Sequence, residues 1–255
     1  MSLYVETHGR GPDLVLLHGW GMNGAVWRHV LPKFTDDYCV HLVDLPGHGK
    51  SGMAEPYTLD ELAQRIDAAF PFPVQVVGWS LGGAVATQWA LNQPDKMRSL
   101  TLVASTPSFV QRADWQPAMP AETLAQFFGQ LQTDWRGTLK RFIGLQAMGD
   151  AAARAVAREL THDLFSHGDP PLAALEHGLE ILRDTDLRGE VGKLTCPVLL
   201  QYGDKDMLTP LGAAHWLAQA VAQARLVVHA GAAHAPFLSH AEEFAAEQRR
   251  FLDGI

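Results

Sequence analysis

The sequence predicts an α/β protein in which a mostly parallel central sheet is flanked by helices. Short, nearly continuous apolar runs alternate with longer helical patterns through roughly the first hundred residues, which is typical of strands covered on both faces. The same alternation returns toward the C-terminus after a long stretch without strands. One α/β core that is interrupted by a helical insert explains both observations.

The apolar runs that we predict as strands are residues 14–17, 40–43, 74–77, 100–103, 198–202 and 226–229. Helical patterns lie at residues 59–70, 82–91 and 216–224. Between residues 107 and 187 no convincing strand occurs, and Gly and Pro separate helical segments. We therefore expect an α/β core of residues 1–106 and 188–255 that carries an all-helical lid of residues 107–187.

Composition excludes several classes of protein. The chain has 255 residues, of which 47% are apolar and 19% charged, enough for one large domain with a proper core. The formal net charge of −8 argues against nucleic acid as a partner, because phosphate binding needs a basic surface. Two cysteines and the absence of a His-Glu-x-x-His spacing give no reason to expect a metal. Because no apolar run approaches the roughly 18 residues of a membrane span and the N-terminus does not resemble a signal peptide, we expect a cytoplasmic protein without a membrane partner.

The most specific motif is Gly78-Trp79-Ser80-Leu81-Gly82. It follows a predicted strand directly and opens a predicted helix, which is the setting of a nucleophile elbow. A side chain on so tight a turn needs neighbours without Cβ atoms, which the two glycines supply. Ser80 is therefore the candidate nucleophile.

A serine hydroxyl needs a base, and the base needs a carboxylate that orients it. With this elbow the acid and then the histidine follow the serine along the chain. Asp206 and Asp204 compete for the role of the acid just after a late strand; we favour Asp206 and interpret Asp204 as a turn residue. His234 lies among small residues after the last strand and is the candidate base, whereas His229 and His240 are interpreted as structural.

The oxyanion of an acyl-transfer reaction also needs hydrogen-bond donors. The N–H of Leu81, directly after the nucleophile, is one donor in this motif. The stretch His18-Gly19-Trp20-Gly21 follows the first predicted strand, and the N–H of Trp20 is positioned to be the other. The alternative is that these glycines only form a turn.

With these residues in order, the chain resembles the α/β-hydrolases, and more narrowly the pimeloyl-[acyl-carrier protein] methyl ester esterases of bacterial biotin synthesis. The stretches that carry the narrower resemblance are residues 16–21, 78–83, 141–149, 178–182 and 232–237. The resemblance implies a catalytic triad of Ser80, Asp206 and His234, no cofactor, and a substrate carried on acyl carrier protein, which is a small and very acidic partner. The substrate contacts that it implies, besides Ser80 and His234, are Trp20, Leu81, Phe142, Ile143, Gly144, Leu145 and Gln146.

Charge along the lid gives an independent check on an acidic partner. Residues 136–158 hold five basic side chains against the single acid Asp150, which is +4 and leaves −12 for the rest of the chain. The basic residues are Arg136, Lys140, Arg141, Arg154 and Arg158. We interpret them as a docking surface for the carrier, and the alternative is a solvated lid surface.

Helical spacing supports this division. At about 100° per residue, Phe142, Ile143 and Gln146 share one side of a helix, and the cations before them lie on the other side. One side of the lid can then cover an apolar acyl pocket while the other faces solvent.

Other functions remain open at this point. A general short-chain carboxylesterase or a carbon–carbon bond hydrolase would use the same triad, and a ligand-sensing relative would keep it with slow turnover. Dehalogenase and epoxide hydrolase activity are disfavoured, because those enzymes need Asp where Ser80 stands. We expect a monomer.

Overall fold

The structure is a computed structural model that describes residues 2–255. Its strands are Tyr4–Gly9 (β1), Asp13–Leu17 (β2), Cys39–Asp44 (β3), Val74–Trp79 (β4), Met97–Val103 (β5), Val198–Gly203 (β6) and Ala224–His229 (β7). They form one sheet in the order β1-β3-β2-β4-β5-β6-β7. All neighbours are parallel except β1 and β3, so the predicted mostly parallel α/β sheet is confirmed.

The sequence analysis missed β1. This edge strand pairs only with β3, in antiparallel orientation, and its residues are half-buried or exposed. It therefore mixes Glu, Thr and His with apolar residues and lacks the continuous apolar run that marked the other strands.

The helices are Leu59–Ala69 (α1), Leu81–Asn92 (α2), Ala121–Ala147 (α3), Ala153–Leu164 (α4), Leu172–Asp184 (α5), Leu211–Ala220 (α6), Pro236–Ser239 (α7) and Ala241–Leu252 (α8). The predictions for α1 and α2 are confirmed within a few residues. The predicted helix at residues 216–224 is wrong in its limits, because the helix starts directly after Pro210 and Val221 is extended (φ −104°, ψ 116°). No helix in residues 2–255 is long and apolar enough to span a membrane.

Helices α3, α4 and α5 occupy the segment that the sequence predicts as a helical lid. α3 is broken at Asp134, whose φ of −152° and ψ of 70° are not helical. The ring centroids of Phe127 and Phe142 lie 5.6 Å apart. On a straight helix, two residues with this separation in sequence would be roughly 22 Å apart along the axis. The two arms of α3 therefore fold back on each other.

Contacts with residues that follow β2 and β4 locate α5 over the carboxyl end of the sheet. The indole Nε1 of Trp20, which follows β2, donates to the carbonyl oxygen of Leu175 at 2.9 Å. Ile181 and Leu182 lie beside Ser80, which follows β4. The carboxyl ends of parallel strands are the usual place for an α/β active site.

Candidate active site

Ser80 stands on a strained turn between β4 and α2. Its φ of 54° and ψ of −117° are rare for a residue with a side chain. A Cβ atom at Gly78 would lie 2.5 Å from the carbonyl oxygen of Gly82, and one at Gly82 would lie 2.5 Å from the carbonyl oxygens of Leu17 and His18. Only glycine fits at both places, so the sequence motif is explained by close backbone approach.

Asp206 and His234 are brought together by the loops that follow β6 and β7. Nδ1 of His234 donates to Oδ2 of Asp206 at 2.8 Å, and both side chains are buried. The same carboxylate accepts from Thr209 Oγ1 (2.6 Å) and from the backbone N–H groups of Leu208 (2.8 Å) and Thr209 (3.0 Å). Three donors from Leu208 and Thr209 therefore fix the carboxylate, and the carboxylate in turn holds the imidazole.

The other nitrogen of His234 has no hydrogen-bond partner among the residues that the structure describes. Its Nε2 is buried and makes no hydrogen bond within residues 2–255, including none to Ser80. An unpartnered buried nitrogen is unusual, because burial without a hydrogen bond costs free energy. Nε2 is therefore free to accept a proton from a nucleophile and to donate that proton to a leaving group.

The competing residues have structural contacts. Asp204 accepts from the N–H of Gly231 at 2.7 Å, and this bond lowers its pKa, as expected of a turn residue. His229 Nε2 lies 3.0 Å from Gln201 Oε1, and His240 Nε2 lies 3.1 Å from the carbonyl oxygen of Ala230. The hydrogen bonds of these three side chains thus lead to groups other than Ser80 and Asp206.

Trp20 and Leu81 offer backbone N–H groups that donate to no other backbone or side-chain atom in the part of the chain that the structure describes. The peptide between Gly19 and Trp20 is held from its other end. Its carbonyl oxygen accepts from His18 Nδ1 at 2.8 Å and from the N–H of Met22 at 3.2 Å. Because a peptide is planar and trans, fixing that oxygen directs the Trp20 N–H the opposite way.

His18 keeps this arrangement because it is neutral. Its Nε2 accepts from the N–H of Leu45 at 2.9 Å, so the proton is on Nδ1, which donates to Gly19. Burial, with the neighbouring His48 as a further cause, lowers the pKa of His18 to about 3. The sequence analysis did not assign this role to His18.

The Trp20 side chain packs between helices α3 and α5. Its ring meets Phe142 of α3 edge-to-face at 4.9 Å between centroids. A Cβ atom at Gly178 of α5 would lie 2.6 Å from the ring, so this helix passes as close as a residue without a side chain allows. The oxyanion candidate is thus packed against both α3 and α5.

The space beside Ser80 is small. Its lining residues, besides Ser80 itself, are Ala84, Ser105, Thr106, Phe109, Ile181, Leu182, Thr185 and Thr209. The volume open to the centre of a water molecule is about 10 Å³, which is room for little more than one water. Sequence reasoning missed these lining residues. Only Thr209 could have been found from a local pattern, because the Asp206-x-x-Thr209 spacing is typical of a turn in which an aspartate side chain accepts hydrogen bonds from the residues that follow it.

The segment Phe142–Gln146 is divided between two sides of α3. Phe142, Ile143 and Gln146 are buried toward the core, as the helical spacing predicts. Gly144 is exposed and Leu145 is half-buried, and both line a groove between the arms of α3. The structure does not bring these two to Ser80.

All five basic residues of the segment 136–158 are exposed, but three have acidic partners. Arg136 pairs with Asp169, Arg141 lies 3.5 Å from Asp134, and Arg158 lies 2.7 Å from Glu159. The acids are outside residues 136–158, so the charge of +4 overstates the local field. Lys140 and Arg154 have no acidic partner within 4.0 Å among the described residues.

One group among residues 2–255 has ligand atoms close enough to hold a metal: Asp13, Cys39 and His41, at the amino end of the sheet. His41 Nε2 already pairs with Asp13 at 2.9 Å. Burial and the neighbouring Asp13 raise the pKa of Cys39, which disfavours the thiolate that a metal binds. It is not part of the site around Ser80.

Comparisons with known proteins identify the family. A family model described as the alpha/beta hydrolase fold matches residues 12–241. The pimeloyl-[acyl-carrier protein] methyl ester esterase of Chromobacterium violaceum is 45% identical over 96% of this chain and 95% of its own length. The esterase of the same name from Aeromonas hydrophila is 46% identical over 96% of both chains. This chain belongs to the pimeloyl-[acyl-carrier protein] methyl ester esterase family of α/β-hydrolases.

Solved structures support the fold. An esterase from Exiguobacterium antarcticum superposes with a TM-score of 0.89 at 24% identity, covering 98% of this chain and 95% of that one. A bromoperoxidase from Bacillus anthracis superposes with a TM-score of 0.90 at 21% identity, covering the same shares. The resemblance drawn from the sequence motifs is therefore confirmed for the family and for the α/β-hydrolase fold.

Proposed function

We propose that this chain hydrolyses the methyl ester of pimeloyl-[acyl-carrier protein] in biotin synthesis, giving the free carboxylate on the carrier and methanol. The observation that supports it most is the identity of 42–46% to curated relatives of that name over nearly the whole chain. A buried His–Asp pair beside a strained serine is also the arrangement that ester hydrolysis requires.

In the acylation step, Ser80 Oγ attacks the carbonyl carbon of the methyl ester and its proton passes to Nε2 of His234. Asp206 holds the imidazole and stabilises its charged form. The N–H groups of Trp20 and Leu81 bind the oxyanion of the tetrahedral intermediate, and each such donor is worth about 3 kcal/mol. The C–O bond then breaks, and methanol leaves with the proton from His234.

Deacylation runs through the same groups. Water gives its proton to Nε2 of His234 and attacks the acyl-enzyme carbonyl, and the same donors bind the new oxyanion. Collapse of this intermediate returns the proton to Ser80 and releases the carboxylic acid. No cofactor takes part in either step.

The acyl chain needs more room than the space beside Ser80 provides. We expect side chains of α5, chiefly Ile181 and Leu182, to move aside when substrate binds, because they close that space. The substrate also contains a thioester. Docking of the carrier at a distance lets the length of the acyl chain bring only the distal methyl ester to Ser80.

Lys140 and Arg154 are the strongest candidates for carrier docking, because they are exposed and without acidic partners among residues 2–255. Arg136, Arg141 and Arg158 would first have to exchange their partners. Exposed pairs are weak, so an acidic carrier can compete for these three as well.

Charge reversal tests the docking surface. The double variant Lys140→Glu, Arg154→Glu should lose most of its kcat/KM on the carrier-bound ester and keep its activity on a small free methyl ester. A matched control is Arg10→Glu, Arg98→Glu, which makes the same charge change at exposed positions of the core. An equal loss on both substrates, or an equal loss in the control, would contradict carrier docking on the lid.

Complementation tests the function in a cell. The wild-type chain should restore growth without biotin to a strain that lacks this esterase, and Ser80→Ala should not. Growth with Ser80→Ala, or none with either chain, would contradict the proposal.

A further inference from the structure

The turn between α3 and α4 holds a buried carboxylate that the proposed mechanism does not use. Asp150 is 7% exposed. Its Oδ2 accepts from the N–H of Ala233 at 2.9 Å, and its Oδ1 accepts from the N–H of Ala152 at 2.7 Å. Ala233 directly precedes His234, so this lid side chain is bonded to the backbone of the loop that carries the base.

Two further bonds join the same segments. The N–H of His234 donates to the carbonyl oxygen of Gln146 at 3.1 Å, and the N–H of Ala151 donates to that of Gly231 at 2.9 Å. We call residues 231–234 the histidine loop. It is thus bonded to residues 146–151 of the lid at three points, with Asp150 supplying the only charged group among the three.

The core holds the histidine loop from the other side. Trp79 Nε1 donates to the carbonyl oxygen of His234 at 2.8 Å, and the N–H of Lys205 donates to that of Ala232 at 2.9 Å. The imidazole itself has one bond, to Asp206, because its Nε2 is without a partner in the described residues. The place of Nε2 therefore depends on where the loop backbone is fixed as well as on the bond to Asp206.

We propose that Asp150 is a positioning residue for the base: it fixes the histidine loop on the lid, so that Nε2 of His234 stays in reach of Ser80. The inference rests on the proposed roles of these two residues. A displacement of a reacting group by 1 Å can cost about a hundredfold in rate. A bond to a charged acceptor is also among the stronger ones that the loop can make.

The test compares Asp150→Ala with Asp163→Ala. Asp163 is also a lid carboxylate, is 5% exposed, and bonds the core through His29 at 2.8 Å without touching the histidine loop. On a small free methyl ester, Asp150→Ala should lower kcat about tenfold to a hundredfold with little change in KM. Asp163→Ala should keep kcat within about twofold, although it too loses a buried contact between lid and core.

Two further measurements separate positioning from general damage. The rate at which a fluorophosphonate labels Ser80 should fall by the same factor as kcat, because that reaction also needs the base. Asp150→Asn keeps one acceptor oxygen and should recover part of the lost kcat, and it supplies the comparison with Asp163→Asn if the alanine variants do not fold.

Equal kcat in the variants of Asp150 and Asp163 would overturn the inference. So would a loss in Asp150→Ala that appears only in KM. Failure of the proposed function looks different, because then the wild-type chain does not hydrolyse the ester or Ser80→Ala retains turnover.

Discussion

Gly178→Ala tests how closely α5 is packed against Trp20, the proposed oxyanion donor. The new Cβ would lie 2.6 Å from Cδ1 and 2.9 Å from Nε1 of Trp20. The optimal separation of two non-bonded carbon atoms is about 3.5–4.0 Å, so either the Trp20 ring or α5 must move by about 1 Å. The ring has little freedom, because its Nε1 bonds Leu175 and its edge meets Phe142.

The expected effect has two parts. Alanine gains about 1 kcal/mol of helix propensity over glycine, and overpacking costs about 1–3 kcal/mol, so the free energy of unfolding should fall by about 0–2 kcal/mol. We expect the displacement to reach the backbone N–H of Trp20 as well. Since loss of one oxyanion donor costs about a hundredfold to a thousandfold, a displaced donor should lower kcat about tenfold to a hundredfold.

The control is Gly129→Ala, also in a lid helix, where an added Cβ meets nothing within 4 Å. It should raise the free energy of unfolding by up to about 1 kcal/mol and leave kcat unchanged. Urea unfolding and the kcat for a small methyl ester measure both parts. If Gly178→Ala matches Gly129→Ala in stability and in kcat, the packing argument for Trp20 is wrong.

Two other predictions follow from the buried polar groups. Asp206→Asn should lower kcat by about 10⁴, because the amide favours the wrong tautomer of the base; a loss of less than tenfold, with the circular dichroism unchanged, would contradict Asp206 as the acid. Burial lowers the pKa of His18, His48 and His229, so below about pH 6.5 the unfolded chain binds protons that the folded chain excludes. The free energy of unfolding should therefore fall as the pH falls from about 6.5 toward 3, and His18 alone should contribute up to about 1.4 kcal/mol per pH unit. Urea unfolding at pH 7, 6 and 5 measures this trend, and its absence would refute the prediction.

Two geometric features of the candidate site could be predicted from the local sequence. The motif of Gly78, Ser80 and Gly82 predicts a strained turn between strand and helix. In the structure Ser80 has the positive φ that such a turn requires. The loop order placed Asp206 before His234, and the two side chains meet at 2.8 Å. The order of strands and loops along the chain is enough to predict this meeting, because each of these residues follows the carboxyl end of a strand.

Contacts with backbone groups far along the chain were not predictable. Asp150 bonds the N–H of a residue 83 positions away, and a backbone N–H leaves no mark in the sequence. The ion pairs of Arg136 and Arg158 involve acids that lie outside residues 136–158. A charge count over residues 136–158 misses Glu159, which is the next residue in the sequence, and Asp169, which the fold brings to Arg136.

Mass spectrometry of intact acyl carrier protein tests the central claim most directly. Carrier loaded with methyl pimelate should lose the mass of one methylene group when incubated with the wild-type chain, with its thioester intact. It should keep its mass with Ser80→Ala. Release of the whole acyl group, or equal conversion by both chains, would contradict a serine esterase that acts on the methyl ester.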